Sequence, residues 1–388
     1  MRLLFLDRFE ELQLDIVGFL AILGEGSVLA NAQVSTLSKW VYVPRLLPAP
    51  QALLRPNRPS KLEPTPGRVT AVWSGNNRNH VNHIGNILVD CENMADFSVR
   101  CVEIVRDEAR PSVKAKTLAP LTGLVVLGAI LAAVLLVLSI IRRDGMALVA
   151  TIMLSCLSTL IGLGNKWKLS LPKRFVKTGL TPPGDVVIRY PQGSFLVVKC
   201  TEDVARELYF APENINYLFT HPPVYRLISL IGTLMLMFGV ITLANATLEL
   251  QIGFAAAYMF LNAAYWIVAA LPPKVHWDTS CFIVKRQRLE TSGTDKRFTD
   301  HNKTFTQALW KVMVVTKEIN WAKRGEAAPD TPAWDQWLRD AAAKAKTAGS
   351  EYDGQTDTLV WRVPQWDPQE ALGKLIDETM SGDNSKDV

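Results

Sequence analysis

Four stretches of this chain carry no charged side chain: residues 120–141, 146–163, 227–248 and 252–271. A helix core inside a water-soluble protein rarely stays charge-free for about 20 residues, and four such runs in one chain define a class. The first, PLTGLVVLGAILAAVLLVLSII, reaches about 33 Å as a helix at 1.5 Å per residue, enough to cross the hydrocarbon of a bilayer. Lipid offers no partner to a free backbone amide, so each run must be helical. The sequence therefore predicts a mainly α, integral membrane fold. It has four transmembrane helices in two hairpins, with a mixed α/β cytoplasmic cap.

The connections set the topology. Residues 142–145, Arg-Arg-Asp-Gly, separate the first two runs; Asp144-Gly145 reads as a tight helical turn with the backbone freedom in that pair. A similarly short piece around residues 249–251 joins the second pair. Two hairpins leave both termini and the middle segment on one side. Near that side stand Arg106, Arg110, Lys114, Lys116, Lys166, Lys168, Lys173, Arg174, Lys177, Lys274, Lys285, Arg286 and Arg288. The turns offer only Arg142 and Arg143, which can snorkel to headgroups. The excess of positive charge predicts that both termini are cytoplasmic.

Outside the spans the chain divides by composition. Residues 1–43 hold Phe5, Phe9, Leu12, Ile16, Phe19 and Leu23 at helical spacing, an amphipathic helical region. Residues 44–67 carry seven prolines and read as an extended linker with no core of its own. Residues 68–118 form a juxtamembrane extended segment. The first hairpin occupies 119–164 and the second 225–272. Between them, in 165–224, DVVIRY and FLVVKC flank PQGS, a β-hairpin, and Thr201 then caps a helix. Both faces of that hairpin are apolar, so it must pack against the N-terminal strands, the C-terminal region, or both. Residues 273–380 form a C-terminal helical region, with helices around 303–323, after Thr331-Pro332 and after Asp367-Pro368. Six of its tryptophans are large enough to anchor a core. Residues 381–388 read as a disordered tail.

A net charge of +5 with mixed signs and no basic tract argues against a nucleic-acid partner. Five cysteines without a C-x-x-C indicate neither a disulfide framework nor a thiolate metal site. His80 and His83, with Asp90 or Cys91, are the best metal candidates, although their spacing fits no structured zinc module. His276 and Cys281 lie near a membrane exit without an orienting group, and no phosphate-cradling or nucleophile motif occurs. No catalytic residue, cofactor or metal site is expected, and the chain reads as more a binding protein than an enzyme.

Within the membrane the signal is a polar seam. Thr151, Ser155 and Ser158 share one face of the second span, and Tyr258, Asn262 and Tyr265 one face of the fourth. Such groups either line a path for a small solute or hold helices together, and the second use is the commoner. The absence of ionisable residues within the runs argues against an ion-coupled pump.

The segments GDVVIRYPQGSFLVVKCTEDVARELYFAPE and LANATLELQIGFAAAYMFLNAAYWIVAALPPKVHWD resemble multi-pass membrane proteins of filamentous fungi. The resemblance covers roughly 119–280, implies a eukaryotic membrane, and carries no catalytic role to any residue. The expected function is a membrane-anchored scaffold or interaction protein whose partners are the lipid bilayer, cytoplasmic proteins and further copies of itself. The alternatives are an oligomeric channel or facilitator for a small solute, lined by the second and fourth helices, and a membrane-associated lipid-modifying enzyme.

Overall fold

The computed structural model describes residues 25–26, 28–29, 36, 39–89, 91, 94–110, 112–116, 120–171, 181–291 and 302–383. The expected N-terminal amphipathic helix falls outside these. After short 3-10 helices at Lys39–Tyr42 and Pro50–Leu53, the elements in chain order are β1 (Thr65–Ala71), β2 (Asn77–Val81), α1 (His83–Val89), β3 (Val99–Arg106) and β4 (Lys114–Ala115). Then come α2 (Pro120–Ile141), α3 (Gly145–Asn165), β5 (Trp167–Ser170), β6 (Val186–Arg189), β7 (Phe195–Lys199), α4 (Glu202–Ala205) and β8 (Asn214–Tyr217). The next are α5 (Pro222–Ala244), α6 (Leu248–Ala269), β9 (Trp277–Asp278), β10 (Phe282–Thr291), α7 (Phe305–Thr316) and α8 (Asn320–Arg324). The chain closes with α9 (Pro332–Lys346), β11 (Ser350–Asp353), β12 (Thr358–Val363) and α10 (Pro368–Asp383).

The chain divides into a helical unit and an α/β unit. The helical unit comprises residues up to Ser60, Val113–Ser170 and Asn214–Asp278. Its four long helices are the four apolar runs, each long and apolar enough to span a membrane. Large apolar side chains such as Ile130, Val137, Leu230, Leu234, Phe260 and Ile267 are exposed along them, an extended apolar surface of the kind that marks an interaction or membrane face. The packing order is α5, α3, α2, α6: α3 packs on both α2 and α5, and α2 packs on α6. The second hairpin is thus splayed, its two helices flanking the first rather than lying along each other. Glycine and alanine set the closest approach. A Cβ on Gly239 would stand 2.9 Å from Leu154 Cδ2, and Ala147 and Ala150 are fully buried.

The first turn is one residue tighter than the sequence suggested, and the second is displaced. In the first, Arg143 takes the left-handed conformation (φ 56°), while Asp144 caps α3 by accepting from Met146 N and Ala147 N at 3.0 Å. The freedom expected at Gly145 is not used, because a capping aspartate fixes the turn from its side chain. The second turn falls at 245–247, earlier than expected, so Glu249 and Gln251 lie in the first turns of α6. Helix α5 also starts earlier, taking in Arg226; a helix continues past the hydrocarbon edge as long as its backbone bonds are satisfied. The two turns are tied together: Asp144 Oδ2 accepts from Thr247 N at 2.7 Å, and Arg142 pairs with Glu249 at 3.1 Å.

The α/β unit comprises Lys61–Ser112, Leu171–Glu213 and Thr279–Val388. One mixed eight-stranded sheet, ordered β11-β12-β10-β3-β7-β6-β1-β2, runs through it. The β6–β7 hairpin forms around Pro191–Gly193, with Gly193 at φ 76°. It lies between β1 and β3, both from the N-terminal side, and the C-terminal region covers it as well, with Phe195 against Phe305 at 5.3 Å between ring centroids. Strands β1, β2 and β3 are therefore part of a large sheet rather than a small piece of their own. The C-terminal region is not purely helical: it adds β10, β11 and β12, the first of which alternates exposed Ile283 and Lys285 with inward residues before burying Leu289. The helix expected over 303–323 is two helices, because Lys317 turns left-handed (φ 55°) and its N–H closes on Met313 O at 2.8 Å. The capping predictions hold at α9, where Thr331 accepts from Trp334 N, and at α10, where Asp367 accepts from Gln369 N and Glu370 N. Thr201 sits at the N-cap of α4 without a side-chain bond. Helix α10 runs through Asp383, so 381–383 are helical rather than tail. The tryptophans do build a core: Trp366 packs on Trp310 at 4.7 Å and on Trp337 at 5.7 Å between ring centroids.

Candidate functional site

The polar seam is the starting point. Thr151 and Ser158 are buried and turn their hydroxyls to their own helix, on Ala147 O at 2.7 Å and Ser155 O at 2.8 Å. Tyr258 is buried and stacks on Phe254. Asn262 is half-buried and has a partner. Ser155 Oγ is buried without a hydrogen-bond partner among the described residues. Helices α3 and α6 do not pack along each other, so the two halves of the seam are not brought face to face. A different part of the chain meets them.

That part is the proline-rich segment. Leu46, Leu47, Ala49, Ala52 and Leu53 belong to the core of the helical bundle, which overturns the reading of 44–67 as a spacer without a core. The segment is held by the helices at both backbone and side chain. Arg45 N donates to Ser158 Oγ at 3.0 Å, and Leu46 N donates to Gly128 O at 3.1 Å. Asn165 Nδ2 donates to Leu53 O at 3.2 Å, Ser229 Oγ to Leu54 O at 2.6 Å, and the Tyr225 hydroxyl to Arg55 O at 2.8 Å. Buried backbone outside regular helix or sheet needs such partners. Pro44, Pro48 and Pro50 reduce the number of N–H groups to satisfy.

Room for the segment comes from absent side chains. A Cβ at Gly162 would lie 2.4 Å from Val41 O, and one at Gly128 would lie 2.7 Å from Leu46 O. These glycines, with the apolar residues between the prolines, are the only sequence signal that could have revealed the insertion.

The segment also brings a charge into the bundle that none of the four apolar runs contains. Arg45 is 4% exposed. Its guanidinium donates to Val41 O at 3.0 Å and Val43 O at 3.4 Å, and is hydrogen-bonded to the Tyr265 hydroxyl. Among the described residues no carboxylate pairs with it. Arg45 therefore links α3, through Ser158, to α6, through Tyr265. Between them lies the proline-rich segment, for which Ser158 and Tyr265 of the seam serve as anchoring points.

Where the segment leaves the bundle, Arg58 lies between the rings of Tyr217 and Tyr225, 3.9 Å from each centroid. It donates to Gly164 O at 2.6 Å and Phe219 O at 2.7 Å, closing the last turn of α3. Burial holds its pKa below the ordinary arginine value and pushes the Tyr217 hydroxyl up to about 12, so the ring stays neutral beneath the cation.

In the α/β unit the sequence-predicted metal donors do not converge. His80 lies on β2, and burial together with Arg78 lowers its pKa. His83 opens α1 and gives its backbone N–H to Glu213 at 2.9 Å. Cys91 is buried, with Sγ near Val89 O and Arg100. Asp90 lies outside the described residues, and among those described no three metal-binding side chains cluster. His276 shares a hydrogen bond with the Val268 backbone, and Cys281 is buried. A polar contact of this unit that the sequence did not reveal is the pair of Arg106 with the buried Glu207. Glu207 stands in a π-helical turn, Arg206–Phe210, that extends α4.

No family model, curated protein or solved structure matches this chain. The site therefore has to be interpreted from its own geometry.

Proposed function

We propose that the protein is a multi-pass membrane scaffold, with both termini cytoplasmic and an α/β unit that recruits protein partners. The observation that carries this is the eight-stranded sheet, which draws strands from the segment before α2, the segment between α3 and α5, and the segment after α6. Strands of one sheet share a compartment, so each helix pair must return to the side it left. Two crossings per pair satisfy this, and the positive charges on the shared side orient it inward. The result is one folded module that the chain enters and leaves repeatedly between its passages through the bilayer.

The module has surface suited to a partner. Trp73 is 49% exposed beside a cavity of about 340 Å³ lined also by Pro182, Pro183, Arg206 and Phe210; exposed aromatics of this kind favour protein contacts. The facilitator reading is weaker because the proline-rich segment lies between the two helices whose seam it needs.

The test is a photo-crosslinking side chain placed at Trp73 in cells, with Glu108 as the control position. A discrete protein adduct at Trp73 alone is expected. Absence of any adduct across the exposed face of the unit, or a solute flux in liposomes that Asn262→Leu abolishes, overturns the proposal.

A further inference from the structure

We infer that the helical unit holds a binding site for the phosphate of an anionic phospholipid headgroup, where the proline-rich segment leaves the bundle. The inference rests on the reading of the four helices as membrane-spanning. A cavity of about 260 Å³ opens there, lined by Arg55, Arg58, Asn165, Trp167, Tyr217 and Tyr225 among others, with no carboxylate among the described residues of its lining. Its depth follows from the helices that frame it: Asn165 is the last residue of α3, and Tyr225 lies in the first turn of α5. That is the level of lipid headgroups, where tryptophan and tyrosine concentrate. Basic pockets between membrane helices on the cytoplasmic side are suited to phosphate headgroups.

The two guanidiniums have different tasks. Arg58 is fixed between two rings and spends two N–H groups on carbonyls. A guanidinium carries five N–H donors, so three remain. Arg55 is less constrained: its side chain is about half exposed and its ion pair is with Glu25, at 3.0 Å, which is equally exposed. An arriving phosphate competes with that carboxylate for Arg55 while Arg58 supplies a preset charge. Two residues beyond Tyr225 begins an exposed apolar stripe, Leu227, Leu230 and Leu234, along which acyl chains can lie. A soluble phosphate would find the same cations without that stripe, and the experiment separates the two.

The full chain is reconstituted in nanodiscs of neutral phosphatidylcholine, and its incorporation tests the membrane reading separately. Native mass spectrometry of the detergent-solubilised protein then measures retention of phosphatidic acid and of a phosphatidylinositol phosphate against phosphatidylcholine. Retention of the anionic lipids over phosphatidylcholine is expected. It should fall about fivefold in Arg55→Gln, the equivalent of about 1 kcal/mol for one cation at a charged surface, and should rise in Glu25→Gln, which frees Arg55. Arg58→Gln should remove it, and because that variant can also misfold, the exposed Arg55 and Glu25 variants decide. Equal retention of neutral and anionic lipid, no change in either exposed variant, or displacement of the lipid by millimolar inorganic phosphate overturns the assignment.

Discussion

If residues 41–54 are seated in the bundle because Gly128 and Gly162 leave room for them, one side chain at either glycine should expel them. Gly162→Val is the sharper case. Its Cβ would sit 2.4 Å from a carbonyl oxygen and 3.0 Å from a methyl carbon of Val41, and the backbone atom cannot rotate away. Overpacking of this kind costs about 1–3 kcal/mol. Moving the segment also breaks the bond from Arg45 N to Ser158 Oγ, and membrane hydrogen bonds contribute about 0.6–2 kcal/mol each. A net shift of about 2 kcal/mol raises the undocked population about thirtyfold.

The readout is thiol labelling of Leu47→Cys, a position 3% exposed, in a background in which the more accessible Cys156 and Cys200 are serine. Labelling should be slow in the parent and about thirtyfold faster with Gly162→Val, by the same population shift. Gly123→Val is the control, because a Cβ at that position would meet nothing within 4 Å. Equal labelling rates for Gly162→Val and Gly123→Val would refute the reasoning.

Two further outcomes concern the α/β unit. Burial pushes the Glu213 carboxyl from 4.5 up to about 7, against the pull of the Ile84 and His83 N–H groups and of Arg78. The folded chain then holds more protons than the unfolded chain between those values, so stability should fall as pH rises from 4.5 to about 7 and then level off. Thermal unfolding across pH 5–8 should show this slope in the parent and a flatter one in Glu213→Gln; identical slopes count against it. Arg106→Met strands the buried Glu207 carboxylate and should cost about 3–5 kcal/mol in urea unfolding, most of it recovered when Glu207→Leu is added. A double variant as unstable as the single one would show that the pair is not the cause.

The parts legible in the sequence are those whose physics is local. A long apolar helix satisfies its own backbone, so a charge-free run of about 20 residues reveals it without knowledge of any neighbour. The hairpin at PQGS, the Thr331-Pro332 start of α9 and the Asp367-Pro368 start of α10 are likewise set by turn and cap chemistry within a few residues. The seam residues Thr151, Ser155, Ser158, Tyr258 and Tyr265 were found because helical periodicity puts them on buried faces, but periodicity does not name the partner.

The tertiary structure decided what distant segments do to one another. Prolines at 44, 48 and 50 exclude a continuous α-helix through the segment, and from that alone a spacer is the natural reading. The burial of Leu46, Leu47, Ala49 and their neighbours depends on Gly128 and Gly162, which lie some 80 to 120 residues further along the chain. The splayed order α5, α3, α2, α6 and the assembly of three separated segments into one sheet have the same origin. Both depend on complementary surfaces that meet only after the chain has folded, and no pattern within a single segment records the shape of its eventual neighbour.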